Sequence, residues 1–390
     1  LHRLIRRQRQ MCIRDSNTEI MAGTGPDVLL LDGISEDTYI EKGMLEDLSG
    51  VLKDTDILSN IKDAYTKEDG SIYTMPVKFG IPMIEGNKDI IAGITDLTTE
   101  ADAAESQKDS YGKLQFFSDF SIAPSYLIQG TIDNSIPAWM NEDGTLNENA
   151  VKEYLEQVNR IWQTQKNAIE ETKKAYQMGD DWADSDHSGY MDISGSVTSL
   201  LAKVDTVAAG GLLSPEGLVS LDSARKVDPD LDYKLLNGQS ENCFYPRSAV
   251  GVSAKASEKE AAEKFVKFLF EEESQRASNT EGLAVNSKVY EDMAYWKMGK
   301  SSGDTIGSIG TSYDTGDGNI KQFVMDEIIP EDEAIQNIMD LGKTLTVPAK
   351  SNQIIRSAVT ESGEKYLNGE TGLDDAVKEI MQEVNLYLSE

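Results

Sequence analysis

Four large apolar residues in a row, Val28-Leu29-Leu30-Leu31, follow the turn-forming Gly23-Thr24-Gly25-Pro26-Asp27 and stop at Asp32-Gly33. A short apolar run held between turn residues fits a strand covered on both faces, as in a parallel sheet. In open parallel sheets ligands sit beyond the carboxyl ends of the strands, which makes Asp32, Gly33 and Ser35 a prospective site.

The rest of the chain alternates extended and helical signals. Thr18–Met21 reads as the end of a helix. Glu36–Lys42 reads as a short helix closed by Gly43. Asp69-Gly70 marks a turn, and Ser71–Pro76 a strand ended by its proline. Residues 77–87 read as an extended crossover, because Pro76 and Pro82 disfavour helix at the residues before them. Residues 90–110 are polar and helical. Asn147 can cap the clearest helix, whose apolar stripe is Val151, Tyr154, Leu155, Val158, Ile161, Trp162 and Ile169. Ala249–Ser253 is a second short apolar strand, leading into Ser257-Glu258-Lys259-Glu260, a capping box. Leu373, Ala376, Val377, Ile380, Met381, Val384 and Leu388 form a last helical stripe. Strands alternating with helices imply an α/β architecture. No repeat of solenoid period interrupts it.

At 390 residues the chain exceeds one ordinary core and suits two lobes. No run approaches the roughly 18 apolar residues of a membrane span. The net charge of −31 repels nucleic acid and anionic lipid, so a neutral or cationic partner is expected. Residues 1–16 break the pattern, with five Arg against one Asp. Met11-Cys12-Ile13-Arg14-Asp15-Ser16 back-translates to a transposon-end adaptor sequence used in sequencing libraries. The stretch is therefore expected to be a non-native leader on a truncated frame. Without Cys12 only Cys243 remains, which leaves no intramolecular disulfide.

Four stretches then resemble the sugar-binding group of extracellular solute-binding proteins of ABC importers, similar to maltose-binding protein. The first is Ala22-Gly23-Thr24-Gly25-Pro26-Asp27-Val28 with Tyr39-Ile40-Glu41-Lys42-Gly43-Met44-Leu45-Glu46-Asp47-Leu48. The second is Ile72-Tyr73-Thr74-Met75-Pro76. The third is Val250–Ser257 with Ala261–Leu269 and Gly282-Leu283-Ala284-Val285-Asn286. The fourth is Tyr366-Leu367-Asn368-Gly369-Glu370 with Asp374–Val377 and Leu386-Tyr387-Leu388. Each is weak alone; their order over nearly all of residues 17–390 is specific.

The resemblance implies an α/β, two-lobed, type II periplasmic-binding-protein-like fold with hinge strands and a cleft that closes on its ligand. Lobe 1 would be residues 17–80 and 248–305, incomplete because the leading strands expected before Thr18 are missing. Lobe 2 would be 81–247 and 306–390. The resemblance further implies an ABC permease as partner, an extracellular or periplasmic setting through a lipid anchor lost with the signal peptide, and a monomer.

Sugar binding needs aromatic faces for C–H surfaces and planar polar groups for hydroxyls. Residues outside the strong helical stripes supply the candidates: Asp32 as the acid, and Phe79, Tyr126, Trp139, Trp182 and Tyr245 as aromatic platforms, with Tyr190 and Trp296 behind them. The acidic loop Asp184-x-Asp186-x-Ser188-Gly189 matches the start of a calcium loop, but its twelfth position is Gly195 where a bidentate Glu is needed, so the loop reads as solvated acid and no metal is expected. No cofactor is expected either. His187 is the only histidine beyond the leader, and no nucleophile elbow or phosphate loop stands out. A binder is therefore favoured over the alternatives, a carbohydrate-active enzyme using a carboxylate pair or a binder of polyamine or peptide.

Overall fold

A computed structural model describes residues 17–34, 36–107, 115–117, 123–141, 145–176, 192–195, 197–202, 205–277, 281–314, 320–350 and 352–388. The strands are β1 (Val28–Leu30), β2 (Met75–Asn87), β3 (Gln115–Phe117), β4 (Asp205–Leu212), β5 (Leu231–Leu235), β6 (Cys243–Val252), β7 (Leu283–Ala284), β8 (Thr305–Asp314), β9 (Ile320–Ile328) and β10 (Val347–Pro348). The helices begin with α1 (residues 17–22). They continue as α2 (Glu36–Glu41), α3 (Ser59–Tyr65), α4 (Lys88–Ile91), α5 (Leu97–Gln107), α6 (Pro124–Ile132), α7 (Glu148–Tyr176) and α8 (Val197–Leu201). After them come α9 (Pro215–Val227), α10 (Lys259–Leu269), α11 (Glu272–Arg276), α12 (Ser287–Tyr290), α13 (Met293–Trp296), α14 (Asp332–Thr344), α15 (Gln353–Leu367) and α16 (Leu373–Leu388). Among the described residues no helix is long and apolar enough to cross a membrane.

The chain divides into a first unit of residues 1–79 and 246–291 and a second of 80–245 and 292–390. Residues 292–305, expected in the first lobe, group with the second. Lys297 pairs with Asp332, and the Gly303 amide donates to the Ile329 carbonyl at 3.0 Å.

In the first unit β1 runs antiparallel to β6, with Val28 opposite Val252 and Leu30 opposite Val250. The expected parallel strand covered on both faces is corrected on both counts. Leu29 and Leu31 are buried in a cluster with Ile20, Tyr39, Met44 and Leu45, whereas Leu30 is 60% exposed. Alternate residues of a strand face opposite sides, and here only one side is covered. Gly43 takes the positive φ of 62° expected of a helix-ending glycine, and Gly70 one of 86° in its turn. The capping box at Ser257 does not form. Asp27 accepts the Ser257 amide at 2.7 Å and the Glu258 amide at 3.2 Å, so a carboxylate 230 residues upstream in the chain replaces the local cap. The first unit also closes around Gln275 of α11, which is fully buried. Its Nε2 donates to the carbonyls of Val77 and Leu269, both at 2.8 Å, and its Oε1 accepts the amides of Val285 and Asn286.

In the second unit β2 pairs antiparallel with β4 (Ile81 opposite Leu212, Gly86 opposite Val207) and with β5 (Met83 opposite Leu235). β3 adds to β4 in parallel. The expected strand ending at Pro76 instead begins at Met75 and continues through both prolines. Pro82 still contributes its carbonyl, which accepts the Leu236 amide at 3.0 Å. The core lies between the sheet and α5, α6, α7, α15 and α16. The predicted stripes of Val151, Tyr154, Leu155, Val158, Ile161 and Trp162 and of Ala376, Val377, Ile380 and Val384 meet there. The side chain of Ile169 lies outside the described residues. Asn147 caps α7 as expected, accepting the Asn149 and Ala150 amides at 3.1 and 3.2 Å. β8 and β9 form a separate antiparallel ribbon.

Candidate functional site

The end of β1 carries a cluster of polar groups. Asp32 is exposed, and its Oδ1 accepts the Ala249 amide at 3.1 Å, one bond beyond the Leu31 amide to Ala249 carbonyl contact. The neighbouring backbone is specialised, with φ of 74° at Gly33 and 56° at Ser248. Desolvation of the carboxyl raises its pKa, and the Ala249 amide, the Arg247 guanidinium and the Ser248 amide oppose that rise. Arg247 holds Glu281 at 2.5 Å. Beside them Glu36 accepts the Thr74 hydroxyl at 2.7 Å, and Lys67 reaches Asp37 at 3.4 Å. Burial, then the negative charges of Glu36, Asp32 and Asp37, push the Tyr65 hydroxyl well above its ordinary value. The result is a set of carboxylate acceptors with a guanidinium and hydroxyls among them, chemistry that suits a neutral, hydroxyl-rich ligand. Ser35 lies outside the described residues.

The aromatic candidates among the described residues are buried side chains. Phe79 is fully buried, its ring 5.5 Å from that of Tyr290. Trp139 is not a loop platform. It sits in the short helical turn Ile136–Trp139, fully buried in the second unit's core, edge-on to Tyr154 at 5.0 Å. Its indole N–H donates to Gln239 Oε1 at 2.5 Å, and Gln239 Nε2 donates to the Ala150 carbonyl at 3.1 Å. A hydrophobic side chain with one polar handle satisfied is what a core tryptophan requires. Tyr126 lies on α6 at 6% exposure and Tyr245 on β6 at 3%. Gly80 and Gly211 beside Tyr245 make room for Leu213: a Cβ at either would meet the Leu213 Cδ2, at 2.4 and 2.9 Å. Trp296 is also core, at 1% exposure. Trp182, Tyr190 and most of the acidic loop lie outside the described residues. Of that loop, Asp192 accepts the Ser194 amide at 2.8 Å.

Sequence reading missed Arg247, Glu36 and Thr74 around Asp32. It also missed the buried Asp133–Arg356 ion pair of the second unit. None carries a local motif, since each is defined by a partner distant in the chain.

Comparison with solved structures defines the class. Maltose-bound MalE3 of T. maritima is 16% identical with a TM-score of 0.52, matching 95% of this chain and 87% of its own. A Streptococcus pneumoniae solute-binding protein in complex with the blood group A-trisaccharide gives 16% and 0.52, over 96% and 87%. An ABC transporter solute-binding protein of Agrobacterium vitis S4 with bound D-mannitol gives 12% and 0.54, over 96% and 88%. At such identities these likenesses establish the fold, the α/β type II solute-binding fold. Residues 15–301 match the bacterial extracellular solute-binding protein family, and the chain belongs to it. A search of curated proteins finds no match.

Proposed function

We propose that this protein is the substrate-binding component of an ABC importer, capturing a mono- or oligosaccharide outside the cell and delivering it to a membrane permease without chemical change. Family membership over residues 15–301 carries the reading. The sugars named with the three structural neighbours support the ligand class. The charge of −31 is compatible with it because the ligand is neutral. Asp32, steadied by the Ala249 amide and close to Arg247, is the proposed hydroxyl acceptor. Tyr126, Tyr245 and Trp182 are the further proposed ligand-binding residues. Phe79 and Trp139 are assigned to packing. A lipid anchor and a monomeric state complete the proposal.

The test is a thermal-shift screen of mono- and oligosaccharides, with polyamines and peptides alongside, because a ligand that binds only the native state raises the melting temperature. A sugar-specific shift is expected, and Asp32→Ala should weaken that sugar tenfold or more for a bond of about 1.5–3 kcal/mol to a charged group. A shift with amines or peptides alone, or hydrolysis of any sugar tested, would overturn the reading.

A further inference from the structure

Two carboxyl groups of the second unit are buried without the donors that a carboxylate needs. Glu85 lies in β2 at 0% exposure, opposite Ala208 of β4 and Tyr233 of β5. Neither of its carboxyl oxygens has a hydrogen-bond partner among the described residues. The cation whose charge reaches Glu85 is engaged elsewhere: Arg225 of α9 lies 5.0 Å from the Tyr233 ring centroid, with its Nε 3.3 Å from Asp232. Asp222 of α9 is held by Lys226 at 3.1 Å. Glu100 of α5 is 1% exposed, and among the described residues its Oε1 also lacks a partner. Asp96, just before that helix, adds negative charge, and Tyr154 of α7 packs in the same core. Removing a carboxylate from water without supplying donors is far costlier than removing a neutral carboxyl group.

We infer that Glu85 and Glu100 each hold a proton in the folded protein, and that these protons make the second unit an acid-stabilised body that loosens as pH rises through neutrality. Burial lifts Glu85 well above the usual carboxylate range, with Arg225 opposing and Asp232 adding to the rise. Burial pushes Glu100 up to about 8, with Asp96 adding to the rise. The sign follows. Above the unfolded-state value near 4.5 the unfolded chain gives up these protons while the native state keeps them, so stability falls with rising pH until the folded value is passed. The first unit carries the opposite device. Lys78 is 2% exposed, and its ammonium meets the Gln275 carbonyl; desolvation lowers it to about 8, so the first unit gains stability as pH climbs from there. Rising pH therefore drives the two units' stabilities apart.

The chain provides its own probe. Its four tryptophans, Trp139, Trp162, Trp182 and Trp296, all fall in the second unit. Urea unfolding of the whole protein, followed by tryptophan fluorescence from pH 5 to 9, should show a falling midpoint. Glu100→Gln and Glu85→Gln should each flatten that fall, with Glu100→Gln favouring the folded state on the order of a hundredfold or more at pH 9 relative to pH 5. Infrared absorption of the natural protein at pH 7 should contain a protonated-carboxyl C=O band, which either glutamine variant diminishes. That measurement stands even if a variant fails to fold. Absence of the band at pH 7, or variants whose stability changes are equal at pH 5 and pH 9, would overturn the inference.

Discussion

Gln275→Leu isolates what holds the first unit together. Leucine has nearly the volume of glutamine, so the change leaves little cavity and removes polar partners. The carbonyls of Val77 and Leu269 and the amides of Val285 and Asn286 lose their side-chain partner, in a place where Gln275 itself is 0% exposed. Each buried group left unsatisfied costs about 1–3 kcal/mol. Because the four share one side chain they do not add fully, and a net loss of about 4 kcal/mol is expected, a large part of the ~5–15 kcal/mol that a domain commands. Hydrogen exchange of segments 72–79 and 281–291 should accelerate by roughly a thousandfold, since ~1.4 kcal/mol is a factor of ten. Tryptophan fluorescence, which reports the second unit, should keep its urea midpoint. Gln275→Glu keeps the acceptors but turns a carboxyl towards two carbonyls, and should be at least as damaging at pH 7. Exchange rates within threefold of the natural protein for Gln275→Leu would refute the reasoning.

Other changes follow from the same accounting of buried groups. Lys78→Met removes an ammonium whose charged form burial disfavours, lowering it to about 8 from 10.5. The variant should gain at most about 3 kcal/mol in the first unit below pH 8, less about 1 kcal/mol for the bond lost to the Gln275 carbonyl. Its advantage should shrink between pH 8 and 10.5, as calorimetry across that range would show; a constant difference would refute the assignment. Trp139→Ala should destabilise the second unit by about 3–5 kcal/mol in urea titrations read from the remaining tryptophans. Unchanged stability with loss of sugar binding would return Trp139 to the ligand.

What the amino-acid order determined by itself is everything that local geometry enforces. Gly43 and Gly70 take left-handed backbone because no Cβ opposes it, Asn147 caps α7, and the stripes of α7 and α16 turn inward as their 3.6-residue period requires. The order of motifs along the chain was enough to place it in its family. Tertiary structure decided what depends on partners far away in sequence. Trp139 became core because Gln239, 100 residues on, takes its N–H, and Ser257 lost its capping box to Asp27. Leu30, indistinguishable in the sequence from its neighbours Leu29 and Leu31, stayed exposed because only one face of β1 is covered. Asp32 was legible as the end of a strand, but the Ala249 amide and the Arg247 charge that define its chemistry were not. Propensity and periodicity act over a few residues. Which partner a buried polar group meets, and which face of a strand finds cover, is decided only when segments hundreds of residues apart come together.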